Sequence, residues 1–390
     1  MTERHVYLDH SATTAVDSAV LEAMLPYFSE RYGNPNSLHL WGREARKAVN
    51  AAREEVASLI GAESSEIIFT GGGSEADNLA IKGAAFTHRE KGRHVITTAV
   101  EHHAVLDSFK WLEKEGFEIT ILPVDETGMV SIPDLKNAIR EGTTFVSMMF
   151  ANNEVGTIQP VAEAARICRE RGVLFHVDGV QAVGHIPVDV RELGFDMLTM
   201  SAHKMYGPKG VGALYVRKGV KIEPVIHGGG QERGLRSGTE NTAGIVGFGK
   251  AAEIASWRLV DGSIDEETRL RDLLIERATA IEEVSLTGHR TKRLPFHASV
   301  CVGSLEGESM LLRLDAAGIG ASSGSACTSG SLEPSYVLLA MGLSHEAAHG
   351  SLRLTLGKDT SEEDIVYVAE NLQRIVTDLR AMSPLWKNRG

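Results

Sequence analysis

Between about residue 66 and residue 216, short apolar runs alternate with longer helical stretches. Glu66–Thr70, His94–Thr98, Phe145–Phe150, Val173–Asp178 and Phe195–Met200 read as strands. Strands that alternate with helices in this way imply an α/β unit with a largely parallel sheet. In such sheets the groups that meet a ligand gather beyond the strand ends. Two of these ends carry charge. Val173–Asp178 finishes in a carboxylate, and Phe195–Met200 delivers Ser201-Ala202-His203-Lys204 to a break at Gly207-Pro208-Lys209-Gly210.

Lys204 and Asp178 make a chemical pair. Most lysines are solvated surface charges. One held partly desolvated at a strand end can lose its proton near neutral pH and add to an aldehyde. An acid at a second strand end can keep a pyridine nitrogen protonated, so that the ring accepts electrons. Together these are what pyridoxal phosphate requires. Glu66–Thr70 also runs into Gly71-Gly72-Gly73-Ser74 and then a helix through Leu79 to Gly83. There, backbone N–H groups and a helix N-terminus can take an anion. With Ala76 the loop also fits the loose dinucleotide pattern G-x-G-x-x-A, and a plain tight turn is the other alternative. A dinucleotide wants an acid at the end of the next strand, whereas Glu90 precedes His94–Thr98. A single phosphate is the better ligand.

Asp178-Gly179-Val180-Gln181, Ser201-Ala202-His203-Lys204 and Ser323-Gly324-Ser325-Ala326-Cys327-Thr328-Ser329-Gly330, in that order, resemble the cysteine desulfurases of the NifS/IscS type. These are fold-type I pyridoxal phosphate enzymes. The similarity runs from Tyr7-Leu8-Asp9-His10-Ser11-Ala12-Thr13-Thr14 to Ser383-Pro384-Leu385-Trp386. It implies an α/β fold with a large cofactor-binding domain over residues 16–260, built on a mostly parallel central sheet flanked by helices. A smaller α/β domain would comprise 1–15 and 261–390 and carry a cysteine loop at 322–330. The resemblance places pyridoxal 5'-phosphate on Lys204, Asp178 at its ring nitrogen, Gln181 at its phenolic oxygen and His102 against the ring, able to move protons. Gly73, Ser74, Ser201 and His203 would complete the cofactor site, although the family usually shows Ser-Gly-Ala-Thr where this chain has Gly71–Ser74. Asn153 would meet cofactor or substrate, and Arg353 would take the substrate carboxylate. Thr239 would reach the phosphate of the neighbouring subunit in a homodimer.

The residue types agree with these roles without fixing them. An imidazole with a near-neutral pKa suits proton transfer after a sheet strand, whereas His103 reads as structural. Paired asparagines such as Asn152 and Asn153 often only satisfy a turn. Gly350–Gly357 alternates as a strand, and an arginine on it that faces a cofactor can pair with a carboxylate through two bonds. His227–Thr239 has the composition of a flexible surface loop. Cys168 and Cys301 stand among apolar residues and read as inert buried thiols, while the small polar neighbours of Cys327 cannot bury it. The segment from Ser322 to Gly330 has little reason to settle in one conformation. An accessible thiol there suits nucleophilic attack, even though a pKa of about 8.5 leaves little thiolate at neutral pH. A zinc site from His297, Cys301 and Cys327 lacks the paired short spacing of such sites, so no metal is expected.

The formal net charge of −12 argues against nucleic acid as partner. Three cysteines with no Cys-x-x-Cys pair cannot form a disulfide framework, which fits a reducing cytoplasm. No apolar region follows Met1–His5, and no run reaches the roughly 18 apolar residues of a membrane span. Helices are expected over Ala15–Tyr32, capped by Asp17 or Ser18, and over Trp41–Ile60, Ala243 to about Val260, and Glu362–Met382. Asp261-Gly262-Ser263 is a polar break at which the smaller domain could start. The reading is a homodimeric cysteine desulfurase that converts L-cysteine to L-alanine and a persulfide on Cys327, with an acceptor such as an iron–sulfur scaffold. Its rivals are an aminotransferase or selenocysteine lyase on the same fold, and a sulfur carrier or assembly partner without turnover. Many close relatives have a longer tail that helps dock a scaffold, so its absence here leaves that partnership open.

Overall fold

The computed structural model describes residues 4–324, 333–382 and 386. Its strands are β1 (Val6–Tyr7), β2 (Ile67–Thr70), β3 (His94–Thr98), β4 (Glu118–Leu122), β5 (Thr143–Met149), β6 (Leu174–Asp178), β7 (Met197–Ser201), β8 (Gly212–Val216), β9 (Val284–Leu286), β10 (His297–Val302), β11 (Ile319–Gly320) and β12 (Ser351–Thr355). Seven of them form one sheet in the order β2-β8-β7-β6-β5-β3-β4. β8 runs antiparallel to both of its neighbours, and the pairs from β7 across to β4 are parallel. Because helices cover both faces, the central strands are apolar throughout instead of alternating, and every residue of β3, β5, β7 and β8 is buried. One face packs against Leu40–Leu59, Val161–Glu170 and Thr242–Arg258. The other packs against Gly73–His88 and His103–Lys114. Phe145 and Phe175 are fully buried. Truncating either to Ala should cost about 3–5 kcal/mol.

A second, antiparallel sheet has the order β12-β10-β9. Its core, from Val6 and Leu8 to Val376, includes the helices Ser263–Thr279, Gly307–Asp315 and Glu362–Met382. The N-terminal segment joins the two layers. β1 pairs with β11, and the chain then bridges to β12 at Asp9 and Thr355. After that, Thr14 N–H donates to the His203 carbonyl at 3.1 Å, beside the Lys204 turn.

Two expectations change. The helix expected over Ala15–Tyr32 is two short helices, Ser18–Met24 and Pro26–Ser29, because Pro26 has no N–H and its ring crowds the preceding turn. Asp17 does cap the first, accepting from Ala19 N–H. The glycine-rich stretch 227–239, a flexible loop by composition, is pinned at Glu232. That buried carboxylate takes two bonds from Arg53, both 2.7 Å, and one from Phe69 N–H at 3.0 Å. Such a two-pronged pair is far more directional than a lone surface contact. Among the described residues no helix is long and apolar enough to cross a membrane.

Candidate active site

The sheet reverses its direction of growth between β3 and β5, where α/β proteins form a crevice at the C-terminal strand ends. Each neighbouring strand delivers one group there. β3 leads to His102, β5 to Asn153, β6 ends at Asp178, and β7 ends at Ser201 and passes into a single 3₁₀ turn, Ala202–Lys204. β2 leads through Gly71 and Gly72 into the helix Gly73–His88, whose N-terminus has no side-chain cap and so leaves first-turn N–H groups open to an anion. A Cβ on Gly73 would lie 2.8 Å from a Val180 methyl, so only glycine fits at this corner.

These groups surround a cavity of about 430 Å³. Lys204 Nζ donates to the carbonyls of Ser11 and Ala12 at 2.5 and 2.7 Å, and both of these residues also line the cavity. Gln181 Nε2 donates to the same Ser11 carbonyl at 3.0 Å. Asp178 is 5 % exposed, and its Oδ1 accepts Val180 N–H at 3.0 Å. His102 Nδ1 accepts Ala104 N–H at 3.1 Å, so the neutral ring carries its proton on Nε2. The asparagine pair divides its labour. Asn152 Oδ1 builds the turn by accepting Glu154 N–H and Val155 N–H, while the buried Oδ1 of Asn153 has no partner. Opposite this floor stands Arg353, 3 % exposed, from β12. It donates to Asp9 Oδ1 at 2.8 Å and to the Asn153 carbonyl at 3.1 Å, and its Nε has no partner.

Burial dominates the electrostatics. It raises the Asp178 pKa, against the pull of His102, the Val180 N–H and Lys204. It lowers the pKa of His102, against the Asp178 charge, which keeps the ring neutral over more of the pH range. His203, bonded through Nδ1 to Thr13 Oγ1 at 3.1 Å, is lowered to about 4 by burial and by the charges of Lys204 and Lys209. Cys168 and Cys301 are both buried and their thiols are pushed up to about 12, which removes them as nucleophiles.

The profile of the class-V aminotransferases matches residues 6–368. The chain is 54 % identical over 388 residues to the cysteine desulfurase IscS of Clostridium botulinum, covering 99 % of this chain and 98 % of the relative. It belongs to the class-V aminotransferase family. Among solved structures, a NifS-like protein is similar at 41 % identity with a TM-score of 0.91, over 96 % of this chain and 100 % of the other. SspA in complex with cysteine is similar at 37 % identity and a TM-score of 0.81, over 90 % and 98 %.

In this class-V aminotransferase chain the cavity gathers Lys204, Asp178, His102, Gln181, Gly73, Ser74, Asn153, Ser201, His203 and Arg353. Thr239 is exposed and does not line it, and Cys327 lies outside the described residues. Four acidic groups escaped the sequence reading. Asp77 and Asp9 line the cavity, and Glu101 and Glu154 are buried at its edges. Asp77 had a legible signal: with Ala80, Ile81 and Ala84 it occupies a helical i, i+3, i+4, i+7 stripe that is otherwise apolar, which marks a carboxyl turned inward. Glu101, whose Oε1 accepts from Thr98 Oγ1 at 2.6 Å and Met149 N–H at 2.8 Å, had no comparable pattern.

Proposed function

We propose that this cysteine desulfurase uses pyridoxal 5'-phosphate held on Lys204, and that sulfur leaves L-cysteine as a persulfide on Cys327 with L-alanine as the other product. The observation that carries the reading is one cavity whose floor holds Lys204 and Asp178 while Arg353 faces them from the second sheet. The residues fit the group. Gly73 leaves space where a side chain would intrude, the uncapped helix N-terminus suits a phosphate, and Asp178 is a buried carboxyl suited to a ring nitrogen. The orphaned Asn153 Oδ1 and Gln181 add polar groups around it. When bound, the cofactor supplies an electron-accepting ring for the pair released at Cα.

The chain's own residues then have separable tasks. Arg353, with Nε still unpartnered beside its Asp9 bond, takes the substrate carboxylate. Lys204 would move the Cα proton, and Asp178 would hold a proton on the ring nitrogen of the bound cofactor. His102 Nε2 is the proton-bearing atom turned from its backbone cap and can pass protons at the substrate. Cys327 attacks the substrate sulfur: the S–S bond forms as Cβ–S breaks, the Cys327 thiol proton is released, and Cβ takes up a proton to become the alanine methyl. Sulfur is thereby oxidised by two electrons and Cβ reduced by two, so no outside oxidant is needed.

The same reading proposes a domain division at 16–260 against 1–15 with 261–390, a cytoplasmic location, and a homodimer in which Thr239 reaches the partner's phosphate. Leu21, Leu25, Phe28, Tyr32, Leu38, Leu40 and Trp41 are all 48–85 % exposed, a density of apolar surface that a second copy would cover. The persulfide would feed an acceptor for iron–sulfur cluster assembly or another thio-cofactor. Purified protein given L-cysteine and a thiol reductant should release alanine and sulfide in equal amounts. A keto acid product would instead assign an aminotransferase, and no product a carrier.

A further inference from the structure

Glu154 has no part in the chemistry above, yet it is 3 % exposed and placed beside Asn153. Its Oε2 accepts the Ser335 hydroxyl at 2.5 Å. A Cβ added to Gly324 would lie 2.7 Å from that same oxygen and 2.9 Å from Ser335 Cβ. The two flanks of the segment that carries Cys327 therefore meet each other on one buried carboxyl. Each flank is also tied to the cavity. Ser322 and Arg353 exchange backbone bonds of 3.2 and 2.7 Å, so the incoming flank pairs antiparallel alongside the arginine strand. On the outgoing side Ser335 caps the helix Tyr336–Ala340, and Tyr336 donates through its hydroxyl to the Glu101 carbonyl, next to His102. Glu154 itself is held by the turn that its N–H makes with Asn152 Oδ1, while the neighbouring Asn153 carbonyl receives Arg353.

We propose that Glu154 is a positioning residue for sulfur transfer: its carboxyl clamps Gly324 and Ser335 together and fixes both feet of the Cys327 segment where the Asn153 turn meets the Arg353 wall. The inference rests on the reading of Cys327 as nucleophile. A carboxyl suits the place because one oxygen serves two contacts, a hydrogen bond on one side and close packing against a bare Cα on the other. A leucine of similar size would strand the Ser335 hydroxyl, and any residue but glycine at 324 would be driven into the carboxyl. Burial raises the Glu154 pKa to about 7, against the Ser335 bond and the Arg353 charge, and a protonated carboxyl can still accept from Ser335.

The test is a steric relief experiment on the cofactor-loaded, full-length enzyme. Gly324→Ala should keep the cofactor absorbance and its change on adding L-cysteine, because the floor is untouched. Transfer of sulfur to Cys327 should fall by about tenfold or more, since small misplacements of a reacting group are costly. The rate at which iodoacetamide alkylates Cys327 without substrate should also shift. Shortening the opposing side chain in the same protein, Gly324→Ala with Glu154→Asp, should restore most of the loss. Ser335→Ala, which deletes the donor and adds no bulk, should reduce transfer in the same direction and keeps the test alive if the alanine at 324 prevents folding. The clamp is refuted if all variants transfer sulfur and alkylate within twofold of the parent, or if Glu154→Asp brings no relief. Mass spectrometry of the parent protein separates the two readings. Sulfur on another cysteine would end the role of Cys327, whereas the alkylation rates still report whether Glu154 governs that segment.

Discussion

The floor and the facing wall of the cavity are built in opposite ways. The floor takes Gly73, His102, Asn153, Asp178 and Lys204 from beyond five strands of one sheet, each strand buried against helices on both sides. The wall joins Asp9, Ser322 and Arg353 with the edge residue Glu154, and in sequence these lie far apart. A sheet fixes its strand ends relative to each other through the hydrogen-bond ladder, so the floor is stiff before any ligand arrives. The wall depends on a few long-range bonds, Arg353 to Asp9 and Asn153, and His297 Nε2 to the Asn153 carbonyl at 3.1 Å. In the proposed function, the groups assigned to the cofactor come from the first kind of construction, and those assigned to the substrate come mainly from the second.

The largest effect expected is on the floor. Lys204→Ala should abolish covalent retention of the cofactor after borohydride reduction and leave less than about a thousandth of the activity, as removal of a central catalytic group does elsewhere. Near-normal turnover would show that the amine is supplied from another element. Asp178→Asn should still bind the cofactor, because its neighbours are intact, but lose about 10²–10³-fold in kcat, since an amide cannot hold the ring proton. A wall substitution should differ in kind. Arg353→Leu should leave the cofactor absorbance unchanged and raise KM for L-cysteine about a hundredfold, from loss of a buried charged hydrogen bond. If it bleached the cofactor instead, floor and wall would not be separable.

The last effect concerns stability and leaves the cavity untouched, at Glu267 in the second sheet's layer. This carboxyl is 6 % exposed, and burial raises its pKa from 4.5 to about 7 against the pull of Arg258. Its folded pKa lies above the unfolded value, so its contribution is fully present below about 4.5 and is lost as pH rises through about 7, on the order of 3 kcal/mol in all. Buried His176 and His185, lowered to about 3 and 4, titrate with the opposite sign at lower pH. The difference between parent and Glu267→Gln isolates the carboxyl. The variant should gain stability relative to the parent between about pH 5 and pH 7 in thermal melts, and a flat difference would mean that Arg258 holds the group ionised.

Much of the floor was legible because strand ends can be read locally. An apolar run that stops at Asp178, and another that stops at Ser201 before Lys204, reveal both the sheet and the groups it presents. Arg353 was legible only through resemblance, since an arginine on an alternating strand is ordinarily a surface residue. The break at Pro26 was available in the sequence, because a proline has no N–H to continue the helix ladder.

The sequence by itself determined the alternation of strands and helices, the residues at their ends and the burial of Cys168 and Cys301, because each depends on neighbours within a few positions. Only the tertiary structure decided that Asp9 partners Arg353, that Asn153 and not Asn152 keeps an unpaired oxygen at the cavity, and that Glu154 receives both Gly324 and Ser335. Asp9 and Arg353 stand 344 positions apart, and Glu154 and Ser335 stand 181 apart. Such contacts follow from how two sheets pack together, and local periodicity carries no record of that.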